Sequence, residues 1–399
     1  MKKNILFWFF LLLGFIANAQ AFLSENAVFS VLTSAPSDYA AYTLYGHTSI
    51  RVRDSITPEK KIDYVFNYGV FDQYQPYFVY RFAKGATDYM LAYNEYTIFA
   101  YERALLNCNV YEQILNLTQQ EMQDLWTALI NNAKPENRSY QYNYFFDNCA
   151  TRPAQMIEQV VKGQIIYQDN PAENKTFRDI INHCTRNNAW LTFGCDLVLG
   201  LPTDRVVTFR ESFFIPEYLY KAYSNAQIVD PDMTKRPLVL AECILIRKGP
   251  DAEIVNIFTL FTPLVCSLLS FAVVLWITQI EWKKKKYFRW LDCILFFVAG
   301  MAGCIVFFLC FLSEQPYVWP NISIGWLHPF HLLGVVFFAA KKLYKAAYIY
   351  HFINFATLLL VSLTWIFIPQ HLNIAFIPLI AVLLIRSGYC LIRKKIHIR

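Results

Sequence analysis

Charged residues are scarce in this chain of 399 residues, where Asp, Glu, Lys and Arg together make up 17%, against about 25% in ordinary soluble domains. Hydrophobic residues account for 56%, and the mean hydropathy is +0.27. This balance excludes a disordered tail protein and a basic nucleic-acid-binding protein of the usual kind. It favours a membrane protein, and the length leaves room for two domains of ordinary size.

Signatures of metal and cofactor chemistry are missing from the sequence as well. The ten cysteines include no CxxC pair, which argues against a zinc site or a thioredoxin-type motif. The sequence contains no metal-ligand cluster, nucleotide-binding glycine loop, internal repeat or low-complexity tract. We therefore expect no metal and no cofactor.

The charges that are present divide the chain into two parts. Residues 254–399 contain 13 basic and 3 acidic residues, whereas the part before them contains 23 basic and 27 acidic residues. A basic excess confined to a hydrophobic region is typical of membrane topology and not of nucleic-acid binding.

The first 19 residues are typical of a secretory signal peptide. Lys2 and Lys3 precede an apolar stretch, residues 5–16, and Ala17-Asn18-Ala19 supplies a small-residue cleavage site. The apolar stretch is shorter than the roughly 20 residues that span a bilayer, so we expect cleavage; an uncleaved anchor is the alternative. Whether the segment is cleaved or stays as an anchor, we expect residues 20–251 to be exported as one domain.

Residues 252–399 form a second domain with five apolar stretches, each long enough to cross a membrane as a helix. The basic residues lie in alternate connecting segments and in the tail from Arg386, whereas residues 313–321 and 369–373 contain none. This positive-inside pattern predicts an exported N-terminal domain and a cytoplasmic C-terminus. The predicted stretches are 254–280, 291–312, 322–340, 346–368 and 372–392.

The exported domain is predicted to mix strands and helices. Thr118 and Glu121 form a capping box before an amphipathic helix, and residues 211–223 are predicted to form another helix. Residues 227–229 and 237–246 are predicted to pair as a hairpin. Further strands are predicted at 27–32, 42–52 and 61–70.

Two residues in this domain could carry nucleophilic chemistry. His47 lies in the predicted strand 42–52, and Cys149 lies where an aromatic extended run meets a probable helix. A helix N-terminus favours a thiolate and can hold an oxyanion. A cysteine there, with an imidazole brought against it, would be an activated nucleophile.

Structural roles compete with this interpretation. An exported cysteine is often a core residue or half of a disulfide, and a strand histidine is often only hydrogen-bonded. Five cysteines lie in the exported half, so at least one is free or paired outside the chain. Cys184 and Cys195 are plausible partners, with connectivity left open. The other exported cysteines are Cys108, Cys149 and Cys243.

Six segments carry a resemblance to a known family. They are YGHTSIRV, DYVFNYGVF, YQYNYFFDNCATRP, TFRDI, DLVLGLPTDR and ESFFIPEYL. They resemble the N-terminal periplasmic domain of the Lnb family, bacterial lipoprotein N-acyltransferases with a five-helix membrane domain behind it. The resemblance implies an α+β, circularly permuted papain-like fold of the NlpC/P60 and lecithin:retinol acyltransferase kind, in which the strand histidine precedes the cysteine.

The resemblance also implies a two-step reaction at the bacterial inner membrane. His47 would deprotonate Cys149, which would take an acyl chain from a membrane phospholipid as a thioester. The α-amine of a diacylated lipoprotein would then accept that chain. His47 would act as a base in one half and as an acid in the other.

Supporting roles fall on several neighbours. The following strand offers Asp63 and Asn67 on one face to orient the imidazole, and we prefer Asn67. Asn148 could donate to an oxyanion, Arg152 could hold a phosphate, and Tyr45 is a further candidate for substrate or oxyanion binding. Local capping or ion pairing is the alternative for Asn148 and Arg152.

Pro153 departs from the family pattern, because proline lacks an amide proton and crowds the carbonyl four residues earlier. The helix after Cys149 therefore begins either at Cys149, with a disturbed first turn, or at Pro153 itself. The second possibility would weaken the effect of the helix dipole on the thiol.

Four residues of the membrane domain are candidates for positioning substrate: His328 and His331 near the outer end of the third span, and Asn321 and Trp326, which resemble positions of the family's membrane domain. Ionisable groups within membrane spans often have a function, and packing beside Pro329 is the alternative role for the two histidines.

Two rival functions remain: a membrane-tethered papain-like cysteine amidase acting on cell-wall peptides, and a non-catalytic scaffold. The acyltransferase should have an apolar cleft facing the membrane, whereas the amidase cleft should be open and polar.

Overall fold

A computed structural model of the chain describes residues 22–57, 60–72, 74–168, 170–250 and 260–396. The predicted signal peptide and the predicted domain boundary at residues 251–252 lie outside these described residues. The boundaries of the two domains therefore stay predictions.

The exported part is built on an antiparallel sheet of seven strands in the order β10-β5-β1-β2-β3-β4-β6, and a second sheet has the order β7-β8-β9. The strands are Val28–Ser34 (β1), His47–Thr57 (β2), Lys60–Val70 (β3), Asp88–Glu95 (β4), Val110–Leu115 (β5), Ser139–Gln141 (β6), Gln164–Ile166 (β7), Gln227–Val229 (β8), Lys235–Pro237 (β9) and Val239–Ile246 (β10).

Helices cover both faces of the large sheet. Phe29 and Val31 of β1 pack with the third and fourth helices, whereas Leu32 packs with Phe99 of the second helix. The alternation follows from the two-residue period of a strand. The helices are Phe78–Lys84 (α1), Tyr96–Leu105 (α2), Gln119–Ala133 (α3), Thr151–Val160 (α4), Phe177–Thr185 (α5), Ala189–Val198 (α6) and Pro216–Ser224 (α7).

The capping box before α3 is confirmed, because Thr118 Oγ1 accepts from the Glu121 N–H at 3.3 Å and Glu121 Oε2 accepts from the Thr118 N–H at 2.8 Å.

Three predicted elements were wrong in part. Residues 42–45 belong to a 3-10 turn, Ala41–Tyr45, and β2 starts only at His47. The predicted helix 211–223 is a 3-10 turn followed by α7, because proline at 216 starts a new helix.

The predicted late hairpin has a different partner. β8 pairs with β9, whereas β10 leaves the hairpin and pairs with β5 as an edge of the large sheet. β10 is apolar at nearly every position, so its local pattern did not distinguish the two pairings.

Among the described residues of the second domain, five helical segments are long and apolar enough to cross a membrane, which agrees with the predicted number. They are Pro263–Lys284 (which is also α8), Arg289–Phe311 (α9), Ile322–Ala339, Lys341–Phe367 and Phe376–Arg393. Within the last three lie Phe330–Ala339 (α10), Tyr344–Thr364 (α11) and the first part of Phe376–Ile396 (α12).

A buried ionic cluster joins three of these helices. Arg386 of α12 contacts Glu281 of α8 and Asp292 of α9, with 2.6 Å between its Nε and an Asp292 oxygen, and all three side chains are fully buried. Arg386 was predicted to belong to the basic tail, and this was wrong. The acids that pair with it lie in other helices, so the local sequence did not reveal the cluster.

The two domains meet through backbone contacts. The N–H of Gly200 donates to the Tyr317 carbonyl and the N–H of Leu201 donates to the Pro320 carbonyl, both at 2.8 Å. On the other side of the junction, the Glu314 N–H donates to the Lys84 carbonyl at 2.8 Å. The connection between α9 and α10 thus lies directly against the exported domain.

Candidate active site

His47 is the first residue of β2 and lies beside Asn67 of β3. Its Nε2 is 3.2 Å from Asn67 Oδ1, which also accepts a hydrogen bond from Ser49 Oγ at 2.8 Å. The register explains the pairing, since Ser49 lies opposite Asn67 and His47 is two residues away on the same face. Asp63, the alternative orienting residue, instead binds Arg51 through two contacts of 2.7 Å.

Cys149 lies in the turn just before α4. The helix begins at Thr151, so neither predicted start, Cys149 or Pro153, was right. Pro153 is the third helical residue, where the N–H has no partner within the helix in any case. The proline therefore fits without disturbing the first turn, and Cys149 stands two residues ahead of the helix.

The backbone N–H of Thr48 and the Tyr142 hydroxyl lie near the Cys149 thiol and lower its pKa. Thr48 follows His47 directly, so the sulfur lies against the start of β2. Gly69 of β3 allows this approach, because its φ is +83° and a Cβ there would lie 3.4 Å from the Cys149 Cβ. The sulfur and the imidazole-bearing residue therefore meet at one end of the sheet.

The described residues contain no hydrogen bond between the His47 ring and the Cys149 sulfur. His47 uses Nε2 for Asn67, which leaves Nδ1 for the sulfur. Catalytic hydrogen bonds are often long before substrate binds, so this geometry is compatible with a reacting pair.

Burial keeps both groups uncharged. It raises the pKa of the Cys149 thiol, against the lowering effect of the Thr48 N–H and the Tyr142 hydroxyl. Burial, together with the charge of Arg103, lowers the pKa of His47 to about 3. The resting pair is therefore a neutral thiol and a neutral imidazole, which is the state in which imidazole can accept a proton.

The positive charge of Arg103, in α2, lowers the pKa of both His47 and Cys149. Its guanidinium carbon lies 4.9 Å from the centre of the Phe99 ring. Its buried Nε has no partner in the part of the chain that the structure describes. Sequence analysis missed Arg103, because nothing in α2 indicates that its last turn reaches the ends of β2 and β3.

Asn148 serves the local backbone. Its Oδ1 accepts from the N–H groups of Ala150 and Thr151 at 2.8 and 3.0 Å. Its Nδ2 donates to the carbonyls of Tyr144 and Phe214 at 2.7 and 2.8 Å. Both amide hydrogens are thus in use, and the side chain fixes the turn that presents Cys149.

Arg152 and Tyr45 also have partners within the protein. Arg152 forms two contacts with Asp147, at 2.5 and 2.7 Å, and its guanidinium lies 3.4 Å from the centre of the Tyr140 ring. A phosphate would have to displace Asp147 from it. The Tyr45 hydroxyl lies 3.9 Å from the Cys195 sulfur, and its ring packs against Tyr144 with ring centres 5.2 Å apart.

His331 and His328 lie at the start of α10, with ring centres 4.0 Å apart. Both nitrogens of His331 are engaged: Nδ1 lies 2.6 Å from the Tyr350 hydroxyl and Nε2 lies 2.9 Å from the Trp326 carbonyl oxygen. The buried Nδ1 of His328 has no partner among the described residues. His331 therefore has the contacts of a packing residue.

Asn321 and Trp326 are buried at the junction of the domains. Asn321 Nδ2 donates to the Leu197 carbonyl at 2.9 Å, and its Oδ1 accepts from Gln370 at 3.0 Å. Trp326 packs against Phe376 with ring centres 5.3 Å apart. The structure thus gives Asn321 a role in joining the domains.

All ten cysteines are free thiols, Cys184 and Cys195 included. The sulfur of Cys149 is therefore not held in a crosslink, as the nucleophile hypothesis requires.

A cleft of about 320 Å³ lies between the exported domain and the segment that connects α9 to α10. Tyr142 lines this cleft, and both its ring and the Cys149 side chain lie beside Gly69. Most of the lining is polar, whereas an apolar cleft was expected. The lining residues are Gly85, Gln141, Tyr142, Asn143, Asp147, Glu314, Gln315 and Pro316.

A row of aromatic rings connects α1 with the same tyrosine. The distances between successive ring centres, from Phe82 to Tyr142, are 6.1, 5.5, 5.2 and 4.2 Å. The row consists of Phe82, Phe78, Phe71, Tyr89 and Tyr142. It was not predicted, because its members come from four separate segments.

Helix α1 also exposes large apolar side chains next to the membrane domain. Tyr77 and Val79 are 83% and 78% exposed, and Tyr80 lies 5.9 Å from Phe308 of α9, measured between ring centres. Exposed aromatic residues beside the end of a spanning helix are typical of the membrane interface.

The architecture and the sulfur at the sheet end define a class: multi-pass membrane proteins with an α/β domain outside the membrane and a cleft at the junction. The comparison with known families makes this specific. The Lnb N-terminal periplasmic domain matches residues 17–183, and the Lnb transmembrane domain matches residues 255–396. The chain belongs to the Lnb family, and is thus a multi-pass membrane protein of lipoprotein biogenesis with a periplasmic N-terminal domain. No curated protein and no solved structure matches the chain.

Proposed function

We propose that the protein is a lipoprotein N-acyltransferase in which Cys149 carries the acyl chain as a thioester. The donor is a membrane phospholipid and the acceptor is the α-amine of a diacylated lipoprotein. The observation that carries the proposal is the position of Cys149: it lies beside Gly69 together with the ring of Tyr142, and Tyr142 lines a cleft with walls from both domains. Family membership supports an enzyme of lipoprotein N-acylation.

In the first half-reaction His47 Nδ1 takes the thiol proton as the sulfur attacks an ester carbonyl of the phospholipid. The C–S bond forms, the ester C–O bond breaks, and the proton passes to the leaving oxygen of the lysophospholipid. Asn67 fixes the ring through Nε2. The Thr48 N–H and the Tyr142 hydroxyl, which lower the pKa of the Cys149 thiol, can stabilise negative charge as it develops on the sulfur.

In the second half-reaction the neutral α-amine of the lipoprotein attacks the thioester. The C–N bond forms and the C–S bond breaks. His47 carries the amine proton to the leaving sulfur, which restores the thiol. A thioester intermediate divides one slow aminolysis into two easier displacements.

The aromatic row supplies a route for the donor. It begins at the apolar helix α1, which contacts the outer end of α9, and it ends at the tyrosine that touches Cys149. We propose that an acyl chain follows these rings, which offer it apolar contact. We propose a permuted papain-like arrangement for the domain, supported by the order His47 before Cys149 and by Asn67 on the imidazole.

We also propose that the protein lies in the bacterial inner membrane with its C-terminus in the cytoplasm. The support is the distribution of basic residues, which cluster in and beside the α8–α9 and α10–α11 connections and in the C-terminal half of α12 and the residues after it. The α9–α10 connection, which touches the periplasmic domain, contains no Lys or Arg.

The test combines an acyl-enzyme assay with an assay in cells. The purified full chain is incubated with a phospholipid and its intact mass is measured; the wild type should gain one acyl chain, and Cys149→Ala should gain none. In cells lacking the chain, Cys149→Ala should leave the lipoprotein α-amine free, while the exposed Cys243→Ala serves as the matched control and restores N-acylation. Full N-acylation by Cys149→Ala would refute the proposal.

The polar lining of the cleft favours one second candidate, a tethered cysteine amidase with water as acceptor. The same acyl-enzyme assay separates the two functions. The amidase would release soluble peptide fragments from cell-wall peptides and would form no acyl-enzyme from phospholipid. Against it stands the contribution of Glu314, Gln315 and Pro316, from the membrane domain, to the cleft.

A further inference from the structure

Glu314 is an exposed carboxylate in the cleft beside Cys149. Its hydrogen-bond donor is Gln141, whose Nε2 lies 3.2 Å from Glu314 Oε2, and in the described part of the chain no basic side chain forms an ion pair with it. Asp147, the other carboxylate of the lining, already binds Arg152 at 2.5 Å. The cleft thus holds one carboxylate with its charge unpaired.

The other acidic residues of the membrane domain form ion pairs with Arg386. Residues 260–399 contain three acidic residues, and two of them, Glu281 and Asp292, are buried against Arg386. Glu314 is the third, and it lies on the periplasmic side. It is therefore the acidic group of this domain that a cation arriving from outside would meet.

The backbone around Glu314 is held in place against α1. Ser313 Oγ donates to the Ala83 carbonyl and Gln315 Nε2 donates to the Phe82 carbonyl, both at 2.6 Å. A carboxylate on a fixed segment can orient a bound cation with less loss of conformational entropy than one on a mobile loop.

We propose that this cleft binds the primary ammonium of the acyl acceptor, with Glu314 as its counter-ion. The inference rests on the proposed function, because it names the site for the second substrate. Tyr142 borders both the cleft and the sulfur, so an ammonium at Glu314 lies on the way to the thioester. There it gives up one proton to water, and the neutral amine attacks as described above.

An ethanolamine headgroup carries the same primary ammonium, so the experiment separates the two sources. Binding of a synthetic diacylglyceryl-cysteinyl peptide is measured to the full chain carrying Cys149→Ala. Glu314→Gln should weaken binding about tenfold, as expected for loss of a charged hydrogen bond, and Glu314→Asp should restore most of it. The N-acetylated peptide should bind equally to the Glu314→Gln and unchanged chains. Glu136→Gln, at an exposed acid after α3, is the matched control.

Acyl-enzyme formation is then compared with phosphatidylethanolamine and phosphatidylglycerol as donors. Glu314→Gln should leave both rates unchanged and should slow transfer to the peptide about tenfold. A loss confined to phosphatidylethanolamine would assign the site to the headgroup and overturn the proposal, as would unchanged peptide binding. If the wild type forms no acyl-enzyme, the proposed function fails, while the binding experiment still decides on Glu314.

Discussion

The two histidine sites of this protein differ in what their nitrogens contact. His47 has one nitrogen on Asn67 and the other without a partner in the described part of the chain, next to a thiol. His331 has one nitrogen on Tyr350 and the other on the Trp326 carbonyl, at 2.6 and 2.9 Å. An imidazole that must exchange a proton needs a free nitrogen, whereas one with both nitrogens engaged holds helices together.

The comparison also separates two kinds of burial. His47 stands at the open end of a sheet, where a cleft and a thiol lie close by, and its ring is half-buried. His331 is fully buried between α10 and α11. A buried and fully bonded polar group contributes to stability and offers substrate no access.

Substitution of each histidine by alanine should give opposite results. His47→Ala should slow acyl-enzyme formation about 10²- to 10⁴-fold, the usual contribution of a general base, with little change in thermal unfolding. His331→Ala should lower stability by about 1–3 kcal/mol, since it leaves the Tyr350 hydroxyl and the Trp326 carbonyl without a partner. Its acyl-enzyme rate per folded molecule should stay within about twofold of the wild type. The reverse pattern would contradict the distinction.

Asn67→Ala tests whether the orientation of the His47 ring matters. Loss of the Nε2 partner should slow acyl-enzyme formation about 10- to 100-fold, because the ring is no longer held toward the sulfur. Asn67→Asp should keep the ring oriented and raise the pKa of His47, which moves the acid limb of the pH–rate profile to higher pH. Asn94→Ala, on the exposed part of β4, is the control; an equal loss in both alanine variants would rule out a positioning role.

Arg103→Gln should give the smallest effect, and mainly at low pH. The positive charge of Arg103 adds to burial in lowering the pKa of His47 to about 3. Without it, protonated imidazole becomes easier to form, so the pKa rises and the acid limb of acyl-enzyme formation moves to higher pH.

Near pH 7 the rate of Arg103→Gln should change little through His47, which stays neutral, and should fall only as far as the Cys149 pKa rises. Arg103→Lys should retain the wild-type profile, and Arg138→Gln, an exposed arginine, is the control. An acid limb that does not move in Arg103→Gln would show that this charge has no part in tuning the pair.

The local sequence pattern was sufficient to predict those features that depend on one short segment. The capping box of α3 and the five spans were predicted, since hydropathy and capping depend on neighbours in sequence. Asn67 was chosen as the partner of His47 from its place in the following strand and the resemblance of its segment, and the register of β2 and β3 brings the two together.

Contacts between distant segments could not be read from the sequence in the same way. Tyr142, Arg103 and Glu314 come from three separate segments, and only the tertiary fold brings Tyr142 and Arg103 near Cys149 and places Glu314 in the cleft that Tyr142 lines. The paired state of Arg152 was open for the same reason, since the choice between Asp147 and a phosphate depends on side-chain geometry. The pairing of β10 with β5 likewise needed the whole sheet.

The junction around Gly200 and Pro320 has a practical consequence for work on the enzyme. Main chain lies against main chain there, and a Cβ at Gly200 would collide with the Pro320 carbonyl oxygen. A soluble fragment ending before α8 would lose one wall of the cleft. It would also expose the surface that the membrane domain normally covers. Inhibitor screens and crystallisation trials should therefore use the intact chain in detergent or nanodiscs, since a compound that fits the truncated surface has no reason to fit the native one.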